Sequence, residues 1–124
     1  MTKKVMVVDD DPSILFTVKE LLEPEGYKVV AVSSGKECLK EMANGFKGVI
    51  LMDIMMPGMD GWETVQRIVD GGYLGGNIIA MFTARDIADH KMEGLGKYVT
   101  DYITKPFDPE ELILTIKEYS RHLG

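Results

Sequence analysis

Cysteine is almost absent: Cys38 stands alone in 124 residues. One cysteine excludes an intramolecular disulfide and a cysteine-built zinc site. On its helical position it reads as a small buried apolar side chain. No apolar run approaches the roughly 20 residues of a membrane span. The start, Met1-Thr2-Lys3-Lys4, carries lysines but no apolar stretch of signal-peptide length behind them. Basic residues are in deficit, with 14 Lys and Arg against 20 Asp and Glu and a net charge of -6. That balance argues against a nucleic-acid-binding surface, which normally shows basic clustering. Internal repeats, low-complexity tracts and linkers are also missing. A cytoplasmic setting is the default expectation.

What is present is an ordinary globular composition, 45% hydrophobic and 27% charged. The length predicts a single domain over residues 1–124 with one real core. Val49-Ile50-Leu51-Met52 is an apolar run that ends on Asp53 and breaks, after Ile54-Met55-Met56, into Pro57-Gly58. A short apolar run bounded by turn signals suits a strand buried on both faces of a parallel sheet. Val5-Met6-Val7-Val8 is a similar run ending in Asp9-Asp10-Asp11-Pro12, with Asp11 as helix N-cap and Pro12 at the first helical position. Ile14, Leu15, Val18, Leu21 and Leu22 have helical spacing, and Pro24 and Gly26 stop that helix.

Lys28–Val32 reads as a second strand, and Ser33-Ser34-Gly35 opens a second helix that Asn44-Gly45 ends. Trp62–Val69 reads as a third helix, followed by a Gly-rich connection. Ile78–Phe82 is a fourth strand ending in Thr83-Ala84-Arg85. A weak fourth helix is expected over Asp86–Lys97, cut short by Gly94 and Gly96, and a fifth strand over Val99–Thr104 before Lys105-Pro106-Phe107. Asp108 then caps the last helix, with Pro109 at its first position and Glu111 placed for a capping box. Strand and helix alternate five times. That predicts an α/β fold: a doubly wound five-stranded parallel sheet, flavodoxin-like in its order 2-1-3-4-5, with helices on both faces.

In that order the ends bearing Asp9, Asp10, Asp53, Thr83 and Lys105 meet in one crevice. Singly, each has a plainer reading: a capping cluster, a turn residue, a solvated charge. Together they have a chemistry. Like charges about 4 Å apart repel by about 4 kcal/mol at an effective dielectric near 20. So one carboxylate takes up a proton or a cation sits among them. Oxygen ligands in a small site suit Mg²⁺, which completes its shell with waters and a phosphoryl oxygen. Asp53, expected in the open beside that metal, can act as a nucleophile and carry a phosphoryl group as an acyl phosphate. Lys105 neutralises the developing charge, the Thr83 hydroxyl donates to a phosphoryl oxygen, and small Ala84 leaves room for entry.

The chain resembles the receiver domain of two-component response regulators, the family that includes the single-domain chemotaxis regulators. The resemblance runs from about Lys3 to about Leu123. It rests on Val7-Val8-Asp9-Asp10, on Met52–Gly61, on Thr83-Ala84 and on Tyr102-Ile103-Thr104-Lys105-Pro106-Phe107. It implies that Asp53 is the phosphoacceptor, that Asp10 binds Mg²⁺ directly and Asp9 through water, and that the Met55 backbone carbonyl is a further ligand. It implies that Thr83 and Lys105 sense and hold the phosphoryl group, and that Tyr102 is the aromatic switch. It implies a cis Lys105-Pro106 bond. The implied partners are a sensor histidine kinase and an output protein or domain, engaged through the face made by the fourth helix, fifth strand and last helix. Direct nucleic-acid or membrane contact is not implied, and homodimerisation through that face is allowed. The resemblance implies a domain that catalyses only its own phosphorylation and dephosphorylation. The chain ends at Gly124, just after the last helix and with no DNA-binding element. That fits a complete single-domain regulator and equally a receiver within a longer protein.

Tyr98-Val99 replaces the Gly-Ala pair many receivers carry before the fifth strand, which points to a short or irregular fourth helix. Met55 and Arg85 flank the expected path of a hydrolytic water, so slow self-dephosphorylation is expected. The methionines, including Met52, Met55, Met56, Met59 and Met81, read chiefly as packing. An adaptable, oxidation-prone surface after Asp53 is the other reading. A rival function is a Mg²⁺-dependent phosphohydrolase using Asp53 on small phosphate esters; it would want an acid at the position of Met55. A nucleotide-binding module would want a phosphate-cradling loop in place of the acidic triplet. His90 and His122 read as surface histidines, and Trp62 as a candidate fluorescence reporter.

Overall fold

The computed structural model describes residues 3–83 and 94–123. Its strands are β1 (Lys3–Val8), β2 (Tyr27–Val32), β3 (Gly48–Asp53), β4 (Asn77–Thr83) and β5 (Asp101–Thr104). They form one parallel sheet in the order β2-β1-β3-β4-β5, as expected. β3 is central, and all six of its residues are buried. That explains its unbroken apolar run, because both of its faces are covered.

Side chains alternate across a strand, so the apolar runs split into two cores. Val5, Val7, Val49, Leu51, Ala80 and Phe82 face α1 (Pro12–Leu22) and α4 (Pro109–Arg121). Met6, Val8, Ile50, Met52, Ile79 and Met81 face α2 (Gly35–Ala43) and α3 (Gly61–Asp70). Cys38 lies in the second core, where burial pushes its thiol up to about 12. Met6, Met42, Met52, Met56 and Met81 are all core residues, so packing accounts for them.

Helix starts are fixed by side-chain caps. The Asp11 carboxylate accepts from Ser13 N, Ser34 Oγ from Glu37 N, Asp60 from Glu63 N, and Asp108 from Glu111 N. Glu37 also accepts from Ser33 N at 2.8 Å, one residue before the N-cap, which ties the entering chain to the first turn of α2. α1 ends in a 3₁₀ turn over Glu23–Glu25, closed by Gly26 at φ +95°. That positive φ is open to glycine at little cost.

The fifth strand is shorter than the expected Val99–Thr104. A 3₁₀ turn over Gly96–Tyr98 ties Val99 N to the Gly96 carbonyl, so the ladder is delayed. Thr100 N reaches the Ile79 carbonyl, and regular pairing begins at Asp101. Most of the expected fourth helix, Ala84, Arg85 and His90 lie outside the described residues. Among the described residues no helix is long and apolar enough to cross a membrane.

Candidate functional site at the carboxyl ends of the strands

The sheet register carries the site residues to one edge. Val8 pairs with Met52, so Asp9 leaves β1 level with Asp53 at the end of β3. Asp53 pairs with Phe82, which sets Thr83 one step beyond on β4; Thr83 in turn pairs with Thr104, the residue before Lys105. Backbone bonds extend the alignment past the strands. Asp9 N donates to the Val32 carbonyl, Ile54 N to the Phe82 carbonyl, and Lys105 N to the Thr83 carbonyl.

Asp9, Asp10 and Asp53 each bring one carboxylate oxygen to within 4.8 Å of the other two. Asp9 is 1% exposed and Asp53 5%, whereas Asp10 faces solvent. Asp53 is therefore not in the open, contrary to expectation. As the last residue of β3 it is walled by β4, by the end of β1 and by the Lys105 side chain. Lys105 Nζ donates to Asp9 Oδ2 at 2.7 Å and to Asp53 Oδ1 at 3.4 Å. Asp9 Oδ1 also accepts from Asp11 N.

Burial and the neighbouring charge of Asp9 push the Asp53 carboxyl up to about 7, against the pull of Lys105. For Lys105, burial favours the neutral amine, but the hydrogen bond and charges of Asp9 and Asp53 outweigh it and its pKa is raised. Two buried carboxylates share one ammonium, so the cluster is short of positive charge. A hard divalent cation among three carboxylate oxygens fits that deficit, and Mg²⁺ favours such a donor set.

The Lys105-Pro106 bond is cis, as expected. Phe107 stacks on Phe82 at 5.7 Å, and Phe82 also lies 5.8 Å under the Lys105 ammonium. Thr83 is buried at the end of β4. Tyr102 is half-buried on β5, facing the α2–α3 core. Met55 is 70% exposed, unlike the core methionines. His122 is exposed at the end of α4, 3.8 Å from Glu118.

Two features were not legible in the residues alone. Gly61 opens α3 so close to β3 that a Cβ there would collide with the Asp53 carbonyl and lie 2.9 Å from Ile54 Cα. Asp101 accepts from the Tyr119 hydroxyl at 2.7 Å, joining β5 to α4 beside a groove of about 470 Å³. Both depend on distances between elements, which a linear pattern does not encode.

The model of the response regulator receiver domain family matches residues 5–117. The chain belongs to this family. The receiver is 36% identical over 121 residues to the alkaline phosphatase synthesis transcriptional regulatory protein PhoP of Bacillus subtilis, covering 98% of this chain and 50% of that protein. It is 34% identical to protein PilG of Pseudomonas aeruginosa, covering 94% of this chain and 86% of that one. Among solved structures it superimposes on a CheY-like receiver domain protein of Methanospirillum hungatei with a TM-score of 0.92 and 45% identity, covering 98% and 96% of the two chains. The receiver spans about half the length of several curated relatives it matches.

Proposed function

We propose that this receiver, one unit over residues 1–124, accepts a phosphoryl group on Asp53 from a cytoplasmic sensor histidine kinase. The observation that carries the reading is the pairing of a buried carboxylate with two further carboxylates and one ammonium. Asp10 and Asp53, with Asp9 through water and the Met55 backbone carbonyl, are the residues that would hold Mg²⁺. When bound, the metal supplies charge neutralisation at phosphoryl oxygens.

In the transfer an Asp53 oxygen forms a bond to phosphorus as the phosphorus–nitrogen bond to the donor histidine breaks. The electron pair of that bond returns to the imidazole. Lys105 moves from a carboxylate partner to a phosphoryl oxygen, and Thr83 donates to another. Met55, exposed two residues after Asp53, borders the approach. The acyl phosphate then favours one of two existing conformations, read out at Thr83 and Tyr102. The output face includes β5 and α4, where exposed Leu114 borders the groove; the fourth helix expected beside them lies mostly outside the described residues. A partner protein or a second copy of the chain docks there. The receiver in this reading turns over no external substrate.

The test is intact-mass spectrometry after incubation with acetyl phosphate, with and without Mg²⁺, beside Asp53→Asn. One hydroxylamine-labile adduct that requires Mg²⁺ and is missing in the variant supports the reading. An adduct that persists in Asp53→Asn overturns it.

A further inference from the structure

Two buried polar side-chain atoms have no hydrogen-bond partner among the described residues: Trp62 Nε1 and the Tyr102 hydroxyl. Each such orphan is costly, because its bonds to water are lost without replacement. The two belong to neighbouring rings. Trp62, 2% exposed at the start of α3, and Tyr102 on β5 have centroids 6.3 Å apart and planes tilted by 53°. One atom is an obligate donor; the other both donates and accepts. They are chemically matched and yet unpaired.

Both residues have short links to the phosphoacceptor. Trp62 follows Gly61, which is packed against the Asp53 carbonyl. Tyr102 pairs with Met81, next but one before Thr83. A shift at the end of β3 therefore reaches the Trp62 ring, and one at the end of β4 the Tyr102 ring.

We infer that Trp62 is a positioning residue of the phosphorylation switch: in the phosphorylated state its indole N–H donates to the Tyr102 hydroxyl oxygen. This rests on the proposed role of Asp53. The bond gives each orphan a partner and makes the buried position of the Tyr102 hydroxyl more favourable in one state than in the other. That difference is what a switch requires.

The chain has one tryptophan, so its indole N–H is a single resonance in a ¹H–¹⁵N spectrum. The experiment adds Mg²⁺ and beryllofluoride, a phosphoryl mimic, to the wild type and to Tyr102→Phe. Acetyl phosphate labelling with mass detection is run on both. In the wild type the indole proton is expected to move downfield and its hydrogen exchange to slow by about tenfold, the effect of a net bond of about 1.4 kcal/mol. In Tyr102→Phe neither change appears, while the Asp53 adduct still forms. Trp62→Phe and Tyr102→Phe should each weaken beryllofluoride binding severalfold, and the double variant no further than either. An indole that stays still while the adduct forms overturns the inference and spares the phosphoacceptor reading. So does one that moves equally in Tyr102→Phe. If neither chain forms an adduct or responds to the mimic, the phosphoacceptor reading fails and takes this inference with it.

Discussion

The Lys105 ammonium lies closer to Asp9 than to Asp53, at 2.7 Å against 3.4 Å. The lysine therefore makes its stronger bond to Asp9 and leaves Asp53 partly uncompensated. Replacing it with Met should expose the scale of that interaction. Removing one partner of a buried pair leaves uncompensated charge, so Lys105→Met should lose about 3 kcal/mol in magnesium-free buffer. Mg²⁺ should restore more stability to the variant than to the wild type. Urea unfolding with and without the metal measures both effects.

The pH dependence follows from the same crowding. Asp53 is raised from 3.8 to about 7 by burial and by Asp9. A carboxyl raised in the folded state binds its proton more tightly when folded. Its contribution is therefore fully present below about pH 4 and lost as pH rises through about 7. In magnesium-free buffer, the stability advantage of Asp53→Asn over the wild type should grow from pH 4 to pH 8. Unfolding free energies of the two chains across that range check the sign. A gap that shrinks with pH would contradict it.

Gly61 has no room for a methyl group. A Cβ there meets the Asp53 carbonyl and Ile54 Cα, both backbone atoms that cannot turn aside. Gly61→Ala should cost about 2 kcal/mol, in the range of overpacked sites. It should also displace Asp53, slowing acetyl phosphate labelling more than the stability loss explains. Denaturation and labelling rates under strongly native conditions separate the two effects.

Met55 is the exposed methionine among the described residues, two positions after Asp53. Its apolar side chain should hinder the water that hydrolyses the acyl phosphate. Met55→Asn should shorten the phosphorylated half-life severalfold, a barrier change of about 1 kcal/mol, and leave thermal stability almost untouched. A mass time course after removal of the phosphodonor reads the rate.

The sheet order was legible because five apolar runs alternate with helical periodicity, and only a parallel arrangement buries such runs on both faces. The caps at Asp11 and Asp108 were legible because capping is local in sequence. The convergence of Asp9, Asp53 and Lys105 followed from the strand order alone. Burial at Asp53 did not, because exposure depends on what Lys105 and Asp9 close over it. The late start of β5 was hidden for a related reason: Val99 has strand propensity, but the turn at Gly96–Tyr98 already holds its N–H. The Trp62–Tyr102 pair joins α3 to β5, and nothing local to either residue announces it.

The central claim concerns one carboxylate among three, so the decisive measurement is positional. Borohydride reduces an acyl phosphate at its carbonyl carbon and converts the modified aspartate to homoserine. The receiver labelled with acetyl phosphate and Mg²⁺ is reduced, digested and sequenced by tandem mass spectrometry. The account predicts homoserine at position 53 and aspartate at positions 9 and 10. Homoserine at Asp9 or Asp10, with Asp53 unmodified, would contradict it.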